Sequence, residues 1–183
     1  MENPKKSGLL ALVFLITTEI MFFAGLLSAY GVLRSGLSAW PPPGQPRYPV
    51  SITAINSLIL LASLFTFYKA EKKFRLKDKN YLYWLAATLL GGSLFLAIQG
   101  IEWFRLIKFG MKLVGNVYGG LFYLIVGSHA LHALAGLLFL IGLFFVTRKH
   151  FREQNAQPLH LMKIYWAFVV LLWPVIYVSV YLI

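Results

Sequence analysis

Five long, uninterrupted apolar runs dominate this chain. They cover residues 8–33, 51–70, 82–101, 118–146 and 162–183. Crossing the ~30 Å hydrocarbon core of a bilayer takes about 20 mainly apolar residues in a helix. Each run meets that length. The runs are continuous rather than alternating, so they read as helices and not as barrel strands. A helix also satisfies its own backbone hydrogen bonds where no water can. The expected fold is therefore all-α, an integral membrane bundle of five transmembrane helices forming a single membrane domain over residues 1–183.

Composition agrees: 59% of the 183 residues are hydrophobic and only 13% are charged, against about 25% charged in a soluble domain. This hydrophobicity excludes intrinsic disorder. The net charge of +11 does not point to nucleic acid, because basic excess in a membrane protein gathers in cytoplasmic loops. There are no cysteines, which excludes disulfides, thiolate metal sites and cysteine nucleophiles. Met1 to Lys6 lead into an apolar run too long for a cleavable signal peptide.

The connectors are short. One holds Trp40-Pro41-Pro42-Pro43-Gly44-Gln45-Pro46, which cannot be helical. Residues 69–80, 104–116 and 149–161 are the others, and none has room for a soluble domain. Lys5, Lys6, Lys69, Lys72, Lys73, Arg75, Lys77, Lys79, Arg148, Lys149, Arg152 and Lys163 fall on one side of the membrane. Arg34, Arg47, Arg105, Lys108 and Lys112 fall on the other. The larger set marks the cytoplasmic side, which puts the N-terminus inside and the C-terminus outside.

Polar residues within the runs carry the chemistry. Glu19 lies about 11 residues into the first span, roughly 17 Å deep. Carboxylates at that depth usually face a bundle interior or cavity. Glu19 reads either as a proton-exchanging or lipid-headgroup group, or as a protonated, hydrogen-bonded interior residue. His129 and His132, three residues apart, share a face of the fourth span. At ~21 Å depth His132 is level with Glu19. Haem ligation would need partner histidines on other spans, and His150 and His160 sit in a connector. Zinc would want a third protein ligand. The remaining reading is hydrogen bonding to Glu19, to neighbouring helices or to lipid.

Weaker signals accompany these. Glu102 falls at a span end and reads equally as a solvated charge or a specific contact. Asn56 is a candidate interhelical hydrogen bonder, and Pro174 should kink the fifth span or mark a polar contact. Ala24/Ser28 and Gly25/Ala29, Gly91 and Gly92, and Gly127, Ala133 and Gly136 are candidate close-approach points. Tyr81, Tyr83, Trp84, Trp103, Tyr118, Tyr165 and Trp166 lie mostly near span ends and read as interfacial anchors. No nucleotide-binding loop, metalloprotease motif or nucleophile elbow is present.

Taken together, the motifs resemble subunit III of the haem–copper oxidases in its short five-helix bacterial form, over nearly the whole chain. Phe14 to Gly25 resembles the family's helix around a membrane glutamate. Trp40-Pro41-Pro42 followed by Ile55-Asn56-Ser57 resembles its Trp-Pro-Pro loop and Asn-Thr helix start. Gln99-Gly100-Ile101-Glu102-Trp103 is similar to its Gln-x-x-Glu-aromatic ending. Tyr118-Gly119 through His129 and His132 is similar to its Tyr-Gly and His-x-x-His span. The closing segment is Tyr165-Trp166-Ala167-Phe168-Val169-Val170-Leu171-Leu172-Trp173. There Ala167 and Val170 replace the family's histidine and aspartate, which places the chain in a divergent branch.

The resemblance implies an accessory subunit, not catalytic by itself, of a proton-pumping terminal oxidase in aerobic respiration. It implies no cofactor in this chain, with haem and copper in partner subunits I and II. It implies packing on subunit I in a complex with subunit II, bound phospholipid, and support of oxygen access and proton uptake; a subunit IV and a respiratory supercomplex are further candidate partners that the sequence leaves open. Glu19, His129 and His132 match the family's membrane glutamate and helix histidines. The implied location is the bacterial cytoplasmic membrane. Close alternatives are the equivalent subunit of a quinol oxidase or nitric oxide reductase. Distant ones are a small stand-alone transporter, which should show discontinuous helices or internal symmetry, and a haem-bearing quinone-oxidising anchor.

Overall fold

Five helices run antiparallel in chain order in the computed structural model, which describes residues 4–111, 117–149, 151 and 155–183. They are α1 (Pro4–Ser35), α2 (Val50–Arg75), α3 (Tyr81–Lys108), α4 (Val117–Lys149) and α5 (Gln157–Tyr177). A π-helical turn, Val178–Leu182, continues α5 a few residues beyond Pro174. All five are long and apolar enough to cross a membrane. No strand occurs among the described residues. Of the polar connector residues considered above, Lys112, His150 and Arg152 lie outside the described residues, as do the side chains of Lys5 and Lys6.

The helices overrun the apolar spans. Lys69–Arg75 and Phe104–Lys108, expected as connectors, continue α2 and α3. Intrahelical hydrogen bonds need no apolar side chains, so the ladder runs past the hydrocarbon boundary until a turn stops it. Between α2 and α3 that turn is built by Lys77 at φ 56°. Asp78 braces it, with Oδ2 2.7 Å from Lys73 Nζ and Oδ1 accepting from the Asn80 N–H at 2.9 Å. These two contacts hold the Asp78 carboxyl below its usual range.

α2 and α3 pack as a hairpin, and α5 lies against α2, α4 and α1. Trp166 of α5, wholly buried, occupies the centre. A Cβ on Gly92 would come within 2.9 Å of its ring, and one on Gly136 within 3.0 Å. Only glycine lets α3 and α4 approach that indole, as the small-residue pattern suggested. Gly91 similarly meets Ser63, and Gly127 meets Trp103. Gly25 on α1 meets nothing within 4 Å.

Buried polar side chains tie the helices together where a hydrophobic drive is absent. Trp166 Nε1–H donates to Ser63 Oγ at 3.1 Å and Trp173 Nε1–H to Ser57 Oγ at 2.7 Å. Each serine passes its own proton to a backbone carbonyl one turn back, on Leu60 and Thr53. Asn56 Nδ2 donates to Phe95 O at 3.1 Å, the interhelical bond expected of it. Large apolar side chains such as Phe14, Phe104 and Phe139 point outward, a surface suited to acyl chains.

The aromatic residues require a correction. Tyr81, Tyr118 and Trp166 are core residues, each no more than 1% exposed, and not interfacial anchors. Of the seven, Tyr83 alone is fully on the surface. Position near a span end does not separate the two roles; the neighbouring helix does.

Candidate functional site

α1 and α4 bring Glu19 and His132 together. Glu19 Oε2 lies 2.9 Å from His132 Nε2, and each side chain is about a fifth exposed, at 22% and 21%. His132 Nδ1 lies 2.6 Å from Ser128 O, one turn back on α4. A carbonyl only accepts, so Nδ1 carries a proton and Nε2 faces the carboxyl. One further proton then serves the contact. It sits on the acid, which donates to a neutral imidazole, or on the imidazole, which donates to a carboxylate. Both forms carry zero net charge. A lone carboxylate at this depth would be costly, and the pairing offsets that cost. The Tyr165 hydroxyl donates to His132 O at 3.2 Å, and the Phe23 ring meets the imidazole edge-on at 5.5 Å. The packing fixes the ring from three sides.

His129 takes a different course. Residues three apart sit ~60° apart around a helix, and that angle separates the two histidines. His129 is fully buried, with Nε2–H donating to Val169 O on α5 at 2.9 Å. Its ring lies between Phe95 and Trp173. It fastens α4 to α5 and has no contact with Glu19. The two imidazoles thus serve separate partners. No cluster of three His, Asp or Glu side chains suited to a metal occurs among the described residues.

The remaining motif residues fall in two groups. Gln99 Nε2 donates to the Tyr181 hydroxyl at 3.2 Å, and Glu102 pairs with Arg105 at 2.8 Å. Glu102 is 5% exposed, so it is a specific contact rather than a solvated helix end. Trp103 fills the space left by Gly127 and meets Tyr123 edge-on. The second group closes the end of the bundle near Trp40. Trp40 lies against Tyr30 and Tyr118, and Tyr48 stacks on Tyr118 and Phe122. The Tyr118 hydroxyl donates to Pro46 O at 2.9 Å. Gly119, beside it, is buried. Burial raises the Tyr48 phenol above its usual value, so it stays protonated. Pro41 and Pro42 follow Trp40 with a cis bond between Trp40 and Pro41.

The structure also gathers residues that no sequence motif singled out. Glu71, near the end of α2, has a side chain only 4% exposed. Arg75 Nε and Nη2 reach its Oε1 at 2.9 and 2.6 Å, His160 Nδ1 reaches Oε1 at 2.9 Å, and Lys163 Nζ pairs with Oε2. In sequence Glu71 is one charge in the run Lys69 to Lys73. The signal available was its sign, the sole acid in a basic stretch.

Comparison with known proteins decides the family. The model for "Cytochrome c oxidase subunit III" matches residues 3–183. The chain belongs to this family. It is 34% identical to cytochrome c oxidase subunit 3 of Synechocystis, over 93% of this chain and 73% of that protein. The same subunit of Thermostichus vulcanus is 33% identical, over 99% of this chain and 89% of that one. Cytochrome bo(3) ubiquinol oxidase subunit 3 of Pseudomonas putida is 33% identical, over 91% and 81%. The resemblance read from the Trp-Pro-Pro, Gln-x-x-Glu and His-x-x-His segments is thereby shown to be one of family. Membership and the five apolar helices make this a multi-pass protein of the bacterial inner membrane. A subunit III is part of a complex with other oxidase subunits.

Proposed function

We propose that this chain is the accessory, cofactor-free subunit III of a proton-pumping haem–copper terminal oxidase, acting as one membrane domain. The observation that carries the reading is the family match from residue 3 to residue 183. Haem and copper belong to subunits I and II, where oxygen is reduced; this chain packs on subunit I, beside subunits II and IV. In this reading the larger basic set faces the cytoplasm, with the N-terminus inside.

The polar geometry supports a stabilising role with one protonic element. Asn56 Nδ2 and His129 Nε2 are engaged in helix-to-helix bonds, and the Ser57 and Ser63 hydroxyls in local backbone bonds. Glu19 and His132 differ, since their contact is partly open. Beside subunit I, such a pair takes part in proton exchange at mid-depth and holds a phospholipid headgroup or hydroxyl drawn toward it. The outward apolar faces retain acyl chains, through which oxygen partitions readily.

The test is purification of the tagged chain in mild detergent, with mass spectrometry of its companions. Co-purification of a haem-bearing subunit I and a copper-bearing subunit II is expected. Recovery of the folded chain without any oxidase subunit would overturn the proposal. A quinol oxidase is the second reading, favoured by the 33% identity to the bo(3) subunit. The same experiment separates the two through the identity of subunit II.

A further inference from the structure

The Glu71 group has more positive than negative charge. One carboxylate meets a guanidinium, an ammonium and an imidazole. Two of these have bonding capacity left over. Arg75 uses Nε and Nη2 on Glu71, which leaves Nη1 without a partner among the described residues. His160 gives Nδ1 to Glu71, which leaves Nε2 likewise.

A cavity of about 240 Å³ opens beside them, between the starts of α1 and α5 and the end of α2. Arg75, His160, Asn155 and Gln157 form its polar wall, and Leu9 and Leu161 its apolar one. α5 begins here with no acidic residue in its first turn, so the positive end of its dipole is not neutralised locally. The cavity lies at the ends of helices long and apolar enough to cross a membrane. Basic pockets between transmembrane helices suit anionic phosphate.

We infer that this cavity binds a phosphate group, with Arg75 Nη1 as its donor and His160 Nε2–H as a second donor in the imidazolium form. The planar guanidinium edge and the imidazole approach from different sides, which suits the tetrahedral array of phosphate oxygens. Glu71 is the positioning residue: it holds both donors in place from behind and prevents them from folding back on each other. The phosphate is that of an anionic phospholipid, whose chains would run past Leu9, or a free phosphate. The inference needs only the membrane placement of the helices and is independent of the oxidase assignment.

The test is native mass spectrometry of the purified complex containing this chain, titrated with dioleoylphosphatidylglycerol, with and without inorganic phosphate. Asn155→Asp is the deciding variant. Asn155 Oδ1 accepts from the Gln157 N–H at 3.2 Å, and an aspartate keeps that acceptor while adding a negative charge to the wall. Arg75→Gln removes a donor. Each should weaken one bound phosphatidylglycerol by about tenfold, the loss of one charge-assisted contact. If Arg75→Gln fails to fold, Asn155→Asp alone decides. Displacement by millimolar inorganic phosphate would support the site as a free-phosphate site, and lack of displacement as a headgroup site. Unchanged binding in folded Asn155→Asp, or no binding of either probe to the wild type, would overturn the inference.

Discussion

Two carboxylate–imidazole pairs, each at 2.9 Å, sit in very different surroundings. Glu71–His160 lies where α2 meets α5, inside the tightly packed four-helix set α2–α5, and its carboxylate has two further cationic partners. Glu19–His132 joins α1 to that set, and neither residue shows another side-chain hydrogen-bond or ion-pair partner among the described residues. The contrast extends to the helices. Of the apolar core of α1, 6% is buried within the chain, against 28–39% for the others. The same chemical pair is therefore a buried, multiply charged clamp in one place and a partly open contact in the other. Contact geometry does not distinguish them; the number of surrounding charges and the packing do.

The largest expected effect comes from removing the clamp. Glu71→Gln leaves Arg75, Lys163 and His160 without a counter-charge. Breaking a buried ion pair costs about 3–5 kcal/mol. Arg75 and His160 are roughly half-exposed and can turn to water, so about 2 kcal/mol is expected here. The thermal midpoint in detergent should fall by about 4–8 °C. An unchanged midpoint would show that the Glu71 group is not holding α2 to α5.

Next comes the packing around Trp166. Gly92→Ala places a methyl 2.8–2.9 Å from Leu137 and the Trp166 ring. Overpacking of this kind costs about 1–3 kcal/mol, partly offset by the better helix propensity of alanine. A net loss near 1 kcal/mol is expected, visible as a lower midpoint and a changed Trp166 fluorescence. No loss would mean that α3 and α5 can separate at little cost.

These two sites also show what a sequence reveals and what it hides. The five helices were legible because lipid demands continuous apolarity, and their ends were not because the hydrogen-bond ladder ignores it. Glu19 and His132 were legible together from depth alone, since both counts start at the same membrane face. His129 was legible as polar and buried, but which residue it would meet was not. Glu71 was hidden by its neighbours. Its burial depends on His160 and Lys163, about 90 residues further along, arriving on α5. Tyr81 and Trp166 misled for the same reason: an aromatic near a span end becomes core only when another helix covers it.

Glu19→Gln should affect stability much less. The amide N–H can donate to His132 Nε2 and keep the α1–α4 tie, so the isolated chain should lose less than about 1 kcal/mol, in line with interhelical hydrogen bonds in membranes. What disappears is the exchangeable proton. In the assembled oxidase, initial oxygen reduction should be close to wild type, while activity declines sooner during sustained turnover. Loss of the first turnovers in an assembled mutant complex would contradict the accessory role. A fall in midpoint as large as that of Glu71→Gln would erase the difference between the two pairs.

The smallest effect is expected at Gly25, and it tests the contrast from the other side. Gly25 and Gly92 are both mid-helix glycines, and both lie in small-residue patterns that suggest helix contact. A Cβ at Gly25 meets nothing within 4 Å, because α1 lies mainly against α4 and α5 and turns this face away from them. Gly25→Ala should therefore leave the midpoint of the isolated chain within about 0.5 kcal/mol of wild type, the range of substitutions away from special contacts. Measured beside Gly92→Ala, it isolates what a close neighbour adds to an identical change. A loss above 1 kcal/mol would mean that α1 is packed as closely as α2–α5, and the openness of the Glu19–His132 pair would then need another explanation.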